Sequence, residues 1–155
     1  GLWFFNSSKV SGASQKHRHL QLLRRGVEEI SCPRAEWFQS KLKSTEDCTN
    51  NLESNTYVVG ITETGDRSIS LYKAYKELIS LSGLGNIGED TKPNNAYNII
   101  CSGNWMALIR RTKELSKGFN INALGFAGYL LATKKSDIEF IKSNSPVKLL
   151  EDIVS

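Results

Sequence analysis

The chain has 155 residues, 39% hydrophobic and 23% charged, with a formal net charge of +4 and a pI near 9.0. That balance suits one globular domain; no apolar run approaches the roughly 20 residues of a membrane span, and the first five residues are too short and uncharged for a signal peptide. The modest positive excess is compatible with nucleic acid, anionic lipid or polyphosphate, and three cysteines without a Cys-x-x-Cys spacing point to a reducing compartment, hence the cytoplasm.

Leu2-Trp3-Phe4-Phe5 is a β-prone run ending in Asn6-Ser7-Ser8, and it leads into the small-residue loop Ser11-Gly12-Ala13-Ser14. A second strand is predicted over residues 16–23, with Leu20 and Leu22 anchoring it in a core. Residues 24–55 are weakly patterned. A short helix over residues 34–42 follows Pro33, Trp37-Phe38 serves as core or lid, and the rest makes a long, partly mobile excursion. Residues 56–61 read as a strand. Leu71, Tyr72, Tyr75, Leu78 and Ile79 then share one helical face, started by Ser68 and stopped by Gly83.

Gly83-Leu84-Gly85-Asn86-Ile87-Gly88 has the letters of a dinucleotide fingerprint, but it closes a helix instead of joining a strand to one. It reads as a loop continuing through residues 89–93. Residues 97–101 and 105–109 flank Ser102-Gly103-Asn104 as a β-hairpin. Residues 126–133 add a strand, Ser136-Asp137-Ile138-Glu139 caps one terminal helix, and Ser145-Pro146 opens another. The class is α+β, a mainly antiparallel sheet with flanking helices, in a single domain over residues 1–155.

The two histidines, His17 and His19, lie two apart in the second predicted strand, where alternate side chains share a face at roughly 6.6 Å, and Gln21 joins them. Just upstream, the small-residue loop offers backbone N–H groups that phosphate oxygens can approach closely. The residues alone leave three readings open. His17 and His19 supply a nucleophile, or two metal ligands lacking a third donor at a telling spacing, or merely the face of an exposed edge strand.

The stretch Asn6-Ser7-Ser8-Lys9-Val10-Ser11-Gly12-Ala13-Ser14-Gln15-Lys16-His17-Arg18-His19-Leu20-Gln21 resembles the active-site segment of ATP adenylyltransferases, also called diadenosine tetraphosphate phosphorylases, within the histidine-triad superfamily. Tyr97-Asn98-Ile99-Ile100, Trp105-Met106 and Ile121-Asn122-Ala123-Leu124-Gly125-Phe126-Ala127-Gly128 are similar too. Ser8 and Lys16 stand where that family carries glycine and proline, and Arg110 replaces a proline before Arg111.

This resemblance implies a histidine-triad-like fold in which His19 attacks an α-phosphorus to form an adenylyl-histidine, supported by His17. Gln21 would donate its amide to a non-bridging phosphate oxygen, and Asn6, Ser8, Gly12, Ala13, Ser14 and Gln15 would line the ribose or phosphates. Lys9, Lys16 and Arg18 are the nearby cations, Arg18 pointing away from the imidazoles. Residues 122–128 contact a second nucleotide or pack on the sheet.

The implied reaction is phosphorolysis of diadenosine tetraphosphate to ATP and ADP, with inorganic phosphate as acceptor, or the reverse transfer. No metal in the site and no covalent cofactor is implied; Mg2+ would travel with the polyphosphate. Glutamine at position 21, where hydrolases of the superfamily carry a third histidine, implies transfer. Rival readings are a hexose-1-phosphate uridylyltransferase, which shares His-x-His-x-Gln, and a non-catalytic nucleotide- or RNA-binding module. The implied partners are nucleotides, with neither a membrane nor nucleic acid among them.

A strand of only four residues precedes Asn6. The chain is therefore expected to be the C-terminal half of a longer histidine-triad-like protein, whose N-terminal half would supply base recognition. Residues 1–25 would be its active-site strand-loop-strand and residues 97–155 its C-terminal hairpin and helices.

Overall fold

The computed structural model describes residues 1–26, 28–42, 50–62, 65–88 and 92–155. Five strands form one sheet: β1 (Leu2–Asn6), β2 (Gln21–Leu23), β3 (Thr56–Gly60), β4 (Tyr97–Ser102) and β5 (Trp105–Arg110), in the order β2-β1-β4-β5-β3 with every neighbour antiparallel. A small ribbon, β6 (Leu115–Ser116) with β7 (Phe119–Asn120), follows. The helices are α1 (Ala35–Lys41), α2 (Asn51–Ser54), α3 (Arg67–Leu81), α4 (Ala123–Ala127), α5 (Ile138–Ser143) and α6 (Val147–Asp152). The fold is thus the mixed class expected, with a mainly antiparallel sheet and flanking helices.

The central strands β4 and β5 are apolar on both faces because both faces are covered. On one face Leu2, Phe4, Ile100, Trp105, Ala107 and Ile109 meet Phe38 of α1, Phe126 of α4 and Leu149 and Leu150 of α6. Phe38 and Trp105 stack there with ring centroids 5.0 Å apart, which makes Phe38 core. On the other face Ile99, Cys101, Met106, Leu108 and Val59 meet Ala74, Leu78 and Ile79 of α3. The predicted hairpin is present, and Gly103 takes the positive φ of +46° that its tight turn requires. Helix α3 also forms as its spacing predicts. Its first N–H groups are capped earlier than expected: Asp66 Oδ1 accepts from Ser68 N at 2.8 Å.

Four expectations are corrected. The second strand begins at Gln21, not residue 16, since it pairs with β1 only opposite Leu2, Trp3 and Phe4. The polar run Gln15-Lys16-His17-Arg18 has no apolar face to bury and stays exposed. Leu20 is 60% exposed and anchors nothing in the core. Residues 126–133 contain no strand, because Asn122 Oδ1 accepts from Leu124 N and Gly125 N and so starts α4, and Gly128 at φ +114° stops it. Finally, Asp137, not Ser136, caps α5 by accepting from Phe140 N at 2.9 Å, while Ser136 Oγ donates to Gly118 O. Cys48, residues 43–49 of the excursion and residues 89–91 of the glycine-containing loop lie outside the described residues.

Candidate active site

Where β1 ends, the chain makes a 3₁₀ turn over Lys9–Ser11. Ser11 Oγ accepts from Ser8 N at 2.9 Å and donates to Ser8 O at 2.8 Å, which closes the turn on itself. Gly12 follows at φ +82°, and a Cβ there would lie 2.7 Å from Ile121 O. Both its backbone angle and the close approach of the 121–122 segment therefore require glycine.

The turn consumes donors. Ser11 N, Gly12 N and Ala13 N all donate to carbonyls of Ser8 or Lys9. Among the described residues, the N–H groups of Ser14 and Gln15 have no backbone partner and are donors that an anion in the cavity could use.

A buried polar cluster fixes this loop to the sheet. Asn98, wholly buried in β4, stands directly opposite Asn6. Its Nδ2 donates to Asn6 Oδ1 at 2.6 Å and to Ser11 O at 2.8 Å. Arg111 Nη1 donates to Asn98 Oδ1 at 2.7 Å and to Ile121 O at 2.9 Å, and its Nη2 to Lys113 O at 2.7 Å. Asn6 Oδ1 also accepts from Ala123 N at 2.9 Å. The carboxamide oxygen of Asn6 is thus committed to the scaffold.

Arg111 is 4% exposed, and burial lowers its pKa to about 10, partly opposed by the charge of Glu114. Its Nε has no hydrogen-bond partner among the described residues. The guanidinium otherwise spends its donors on neutral oxygens, the compensation a buried charge needs.

The loop walls a cavity of about 810 Å³. All six residues expected to line a nucleotide, Asn6, Ser8, Gly12, Ala13, Ser14 and Gln15, line it, as do Lys9, Lys16, His17 and Arg18. His19 and Gln21 do not; the chain leaves the wall at Arg18. The opposite wall brings Glu114 and Asn120, which no local motif marks, and Asn122 from the segment expected to meet a second nucleotide or pack on the sheet. Glu114 is 3.9 Å from Lys9 Nζ and accepts from Asn120 Nδ2 at 3.3 Å, so its charge is partly balanced.

The imidazoles remain neighbours without a regular strand. Their ring centroids are 5.1 Å apart, tilted by 52°. His19 Nδ1 lies 3.2 Å from the carbonyl oxygen of His17. A carbonyl only accepts, so in this bond Nδ1 is the donor, which in a neutral ring leaves the lone pair on Nε2. Among the described residues no group of three or more His, Cys, Asp or Glu side chains could hold a metal ion.

Asn98 and Arg111 are the residues that sequence reasoning left without a role. Their signal was present: an asparagine inside the apolar run of residues 97–101, and the second of two arginines that follow the apolar run of residues 105–109.

Known proteins share this fold. Protein APA1 of Saccharomyces cerevisiae is 26% identical over 165 aligned residues, covering 97% of this chain and 50% of that protein. The crystal structure of yeast Ap4A phosphorylase Apa2 superposes with a TM-score of 0.60 at 19% identity, covering 99% of this chain and 54% of its own. The structure of Apa2 in complex with Ap4A gives 0.61 at 16% identity, with 99% and 52% covered. The chain spans about half the length of these relatives. Residues 1–34 match the Ap4A phosphorylase N-terminal domain. Residues 36–155 match the ATP adenylyltransferase C-terminal domain, and the chain belongs to the ATP adenylyltransferase family.

Proposed function

We propose that this chain carries the nucleotidyl-transfer centre of an enzyme that phosphorolyses diadenosine tetraphosphate (Ap4A) to ATP and ADP. The observation that carries the reading is the His19 geometry beside the loop cavity. The hydrogen bond to His17 O holds His19 in the tautomer whose Nε2 can attack. The cavity next to it has cationic side chains and unspent N–H groups for a polyphosphate.

Nε2 of neutral His19 attacks the α-phosphorus, a P–N bond forms, and the P–O bond to the leaving ATP breaks. An oxygen of inorganic phosphate then attacks the same phosphorus, the P–N bond breaks, and ADP leaves. Splitting one displacement into two in this way is the advantage of a covalent intermediate. Gln21, next in alternation after His19, donates its amide to a non-bridging oxygen. Mg2+ enters with the polyphosphate, and the setting is cytoplasmic. The relatives support this reading, since one solved neighbour is an Ap4A phosphorylase seen in complex with AMP and with Ap4A.

The test is to incubate the protein with labelled Ap4A, quench in neutral denaturant and map the label. We expect adenylate on His19, and none on a His19→Ala chain. Label elsewhere, or equal labelling of the variant, removes His19 from the mechanism.

A further inference from the structure

Ser7 and Ser8, which wall the loop cavity, also wall a second one of about 530 Å³ that neither His17 nor His19 lines. Its other walls are residues 92–97, which lead into β4, and Arg111 and Thr112 after β5. The charge around it is of one sign. Arg18, Lys92 and Arg111 border it, and among the described residues no carboxylate does. Lys92 and Asn95 are exposed, whereas Arg111 is buried.

A buried guanidinium needs an anion or a full set of hydrogen bonds to compensate its charge. The bonds of Arg111 all go to carboxamide or backbone carbonyl oxygens, and its Nε has none among the described residues. Glu114, whose charge does reach Arg111, lines the loop cavity and not this one. On this side the positive charge faces no counter-ion. Close to it in the chain, the N–H groups of Asn95 and Ala96 have no backbone partner among the described residues. The Asn95 carboxamide and the Lys92 ammonium bring further donors. Cations and N–H groups in one concave wall fit a tetrahedral oxyanion.

The same wall is connected to the loop. Ser7 Oγ accepts from Tyr97 N at 2.8 Å and lies 3.3 Å from Ser11 Oγ, the group that closes the 3₁₀ turn.

We propose that this cavity is an anion site which binds inorganic phosphate behind the loop, apart from the reacting phosphates, and holds the 3₁₀ turn in the form that receives a nucleotide. Lys92 and Arg111 supply the charge, and Asn95 with the two N–H groups orients the oxygens. Phosphate here and a nucleotide in the loop cavity then reinforce each other, by the same factor in both directions. The assignment does not depend on the transfer chemistry proposed above.

The experiment compares thermal unfolding in sodium phosphate with unfolding in sodium chloride of equal ionic strength, and measures AMP affinity in both. We expect phosphate at about ten times its dissociation constant to raise the midpoint by about 4 °C. It should also tighten AMP by about five-fold. Asn95→Asp adds a negative charge with almost no change of shape, and Lys92→Glu reverses a charge at an exposed position. Each should abolish both effects while leaving the midpoint and the AMP affinity in chloride as in the parent. Phosphate held in the loop cavity would survive both substitutions, because neither Lys92 nor Asn95 lines that cavity. Equal midpoints in the two salts, a phosphate response that either variant keeps, or weaker AMP binding in phosphate overturns the proposal.

Discussion

Asn98 does more for the loop than any residue inside it. Its one carboxamide reaches Asn6, Ser11 and Arg111, so a single side chain ties β1, the 3₁₀ turn and the segment after β5 together. Truncation to alanine would leave Asn6 Oδ1 and Ser11 O each short of a donor, and the Arg111 guanidinium short of an acceptor. We expect Asn98→Ala to cost about 3 kcal/mol in urea unfolding, since stranding buried partners costs more than the bonds themselves contribute. Nucleotide affinity should fall with it, and Arg111→Lys should mimic part of the loss because one ammonium nitrogen cannot replace the two guanidinium nitrogens, Nη1 and Nη2, that hold separate oxygens. A change below about 0.5 kcal/mol, the level of an ordinary surface substitution, would show that the cluster is not a scaffold. The sequence showed Gly12 at once, because a small residue in a polar loop is a local sign. It hid Asn98, whose meaning depends on a partner 92 positions away.

Among elements, those defined by their own periodicity were the readable ones. The apolar face of α3 and the two runs of the β4–β5 hairpin are local facts, and both elements form as read. Strand β2 was overextended because alternation in residues 16–23 suggested a pleat, whereas length was set by how far β1 offers it a partner. The strand read over residues 126–133 failed for a different reason. A compact apolar run fits either a strand or a buried helix, and the deciding group was Asn122, just outside the run. Its Oδ1 accepts from two N–H groups of α4 while its side chain also borders the loop cavity. Replacing it by alanine should cost about 1 kcal/mol, the usual loss of an N-cap. Thermal unfolding of Asn122→Ala against the parent checks this, and equal midpoints would mean that α4 is held by its buried Phe126 and Ala127 alone.

At the scale of the molecule, the two family matches meet at residue 35, yet β1 from the first segment pairs along Trp3 to Asn6 with β4 from the second. The boundary runs through one sheet, so the two segments share a core. A helix layer on each face explains why this core has two halves, and each half holds a buried thiol: Cys32 on one side and Cys101 on the other. Burial pushes the Cys32 pKa up from 9.0 to about 11 and raises that of Cys101 as well. The sign follows from linkage. As pH rises through about 9, the unfolded chain releases these protons while the folded chain keeps them, so ionisation favours unfolding. Their stabilising contribution is therefore complete below about pH 9 and is lost as pH climbs toward the folded value near 11. Between about pH 8 and pH 10 the thiols should lower the urea midpoint as pH rises, read as the difference between the parent and the thiol variants, since Arg111, whose lowered pKa near 10 acts in the opposite sense, is common to both. Cys32→Ala should flatten that fall, and Cys32→Ala with Cys101→Ala should flatten it further. A slope identical in the parent and the double variant would mean that neither thiol is shielded by the core that both faces of the sheet are built to make.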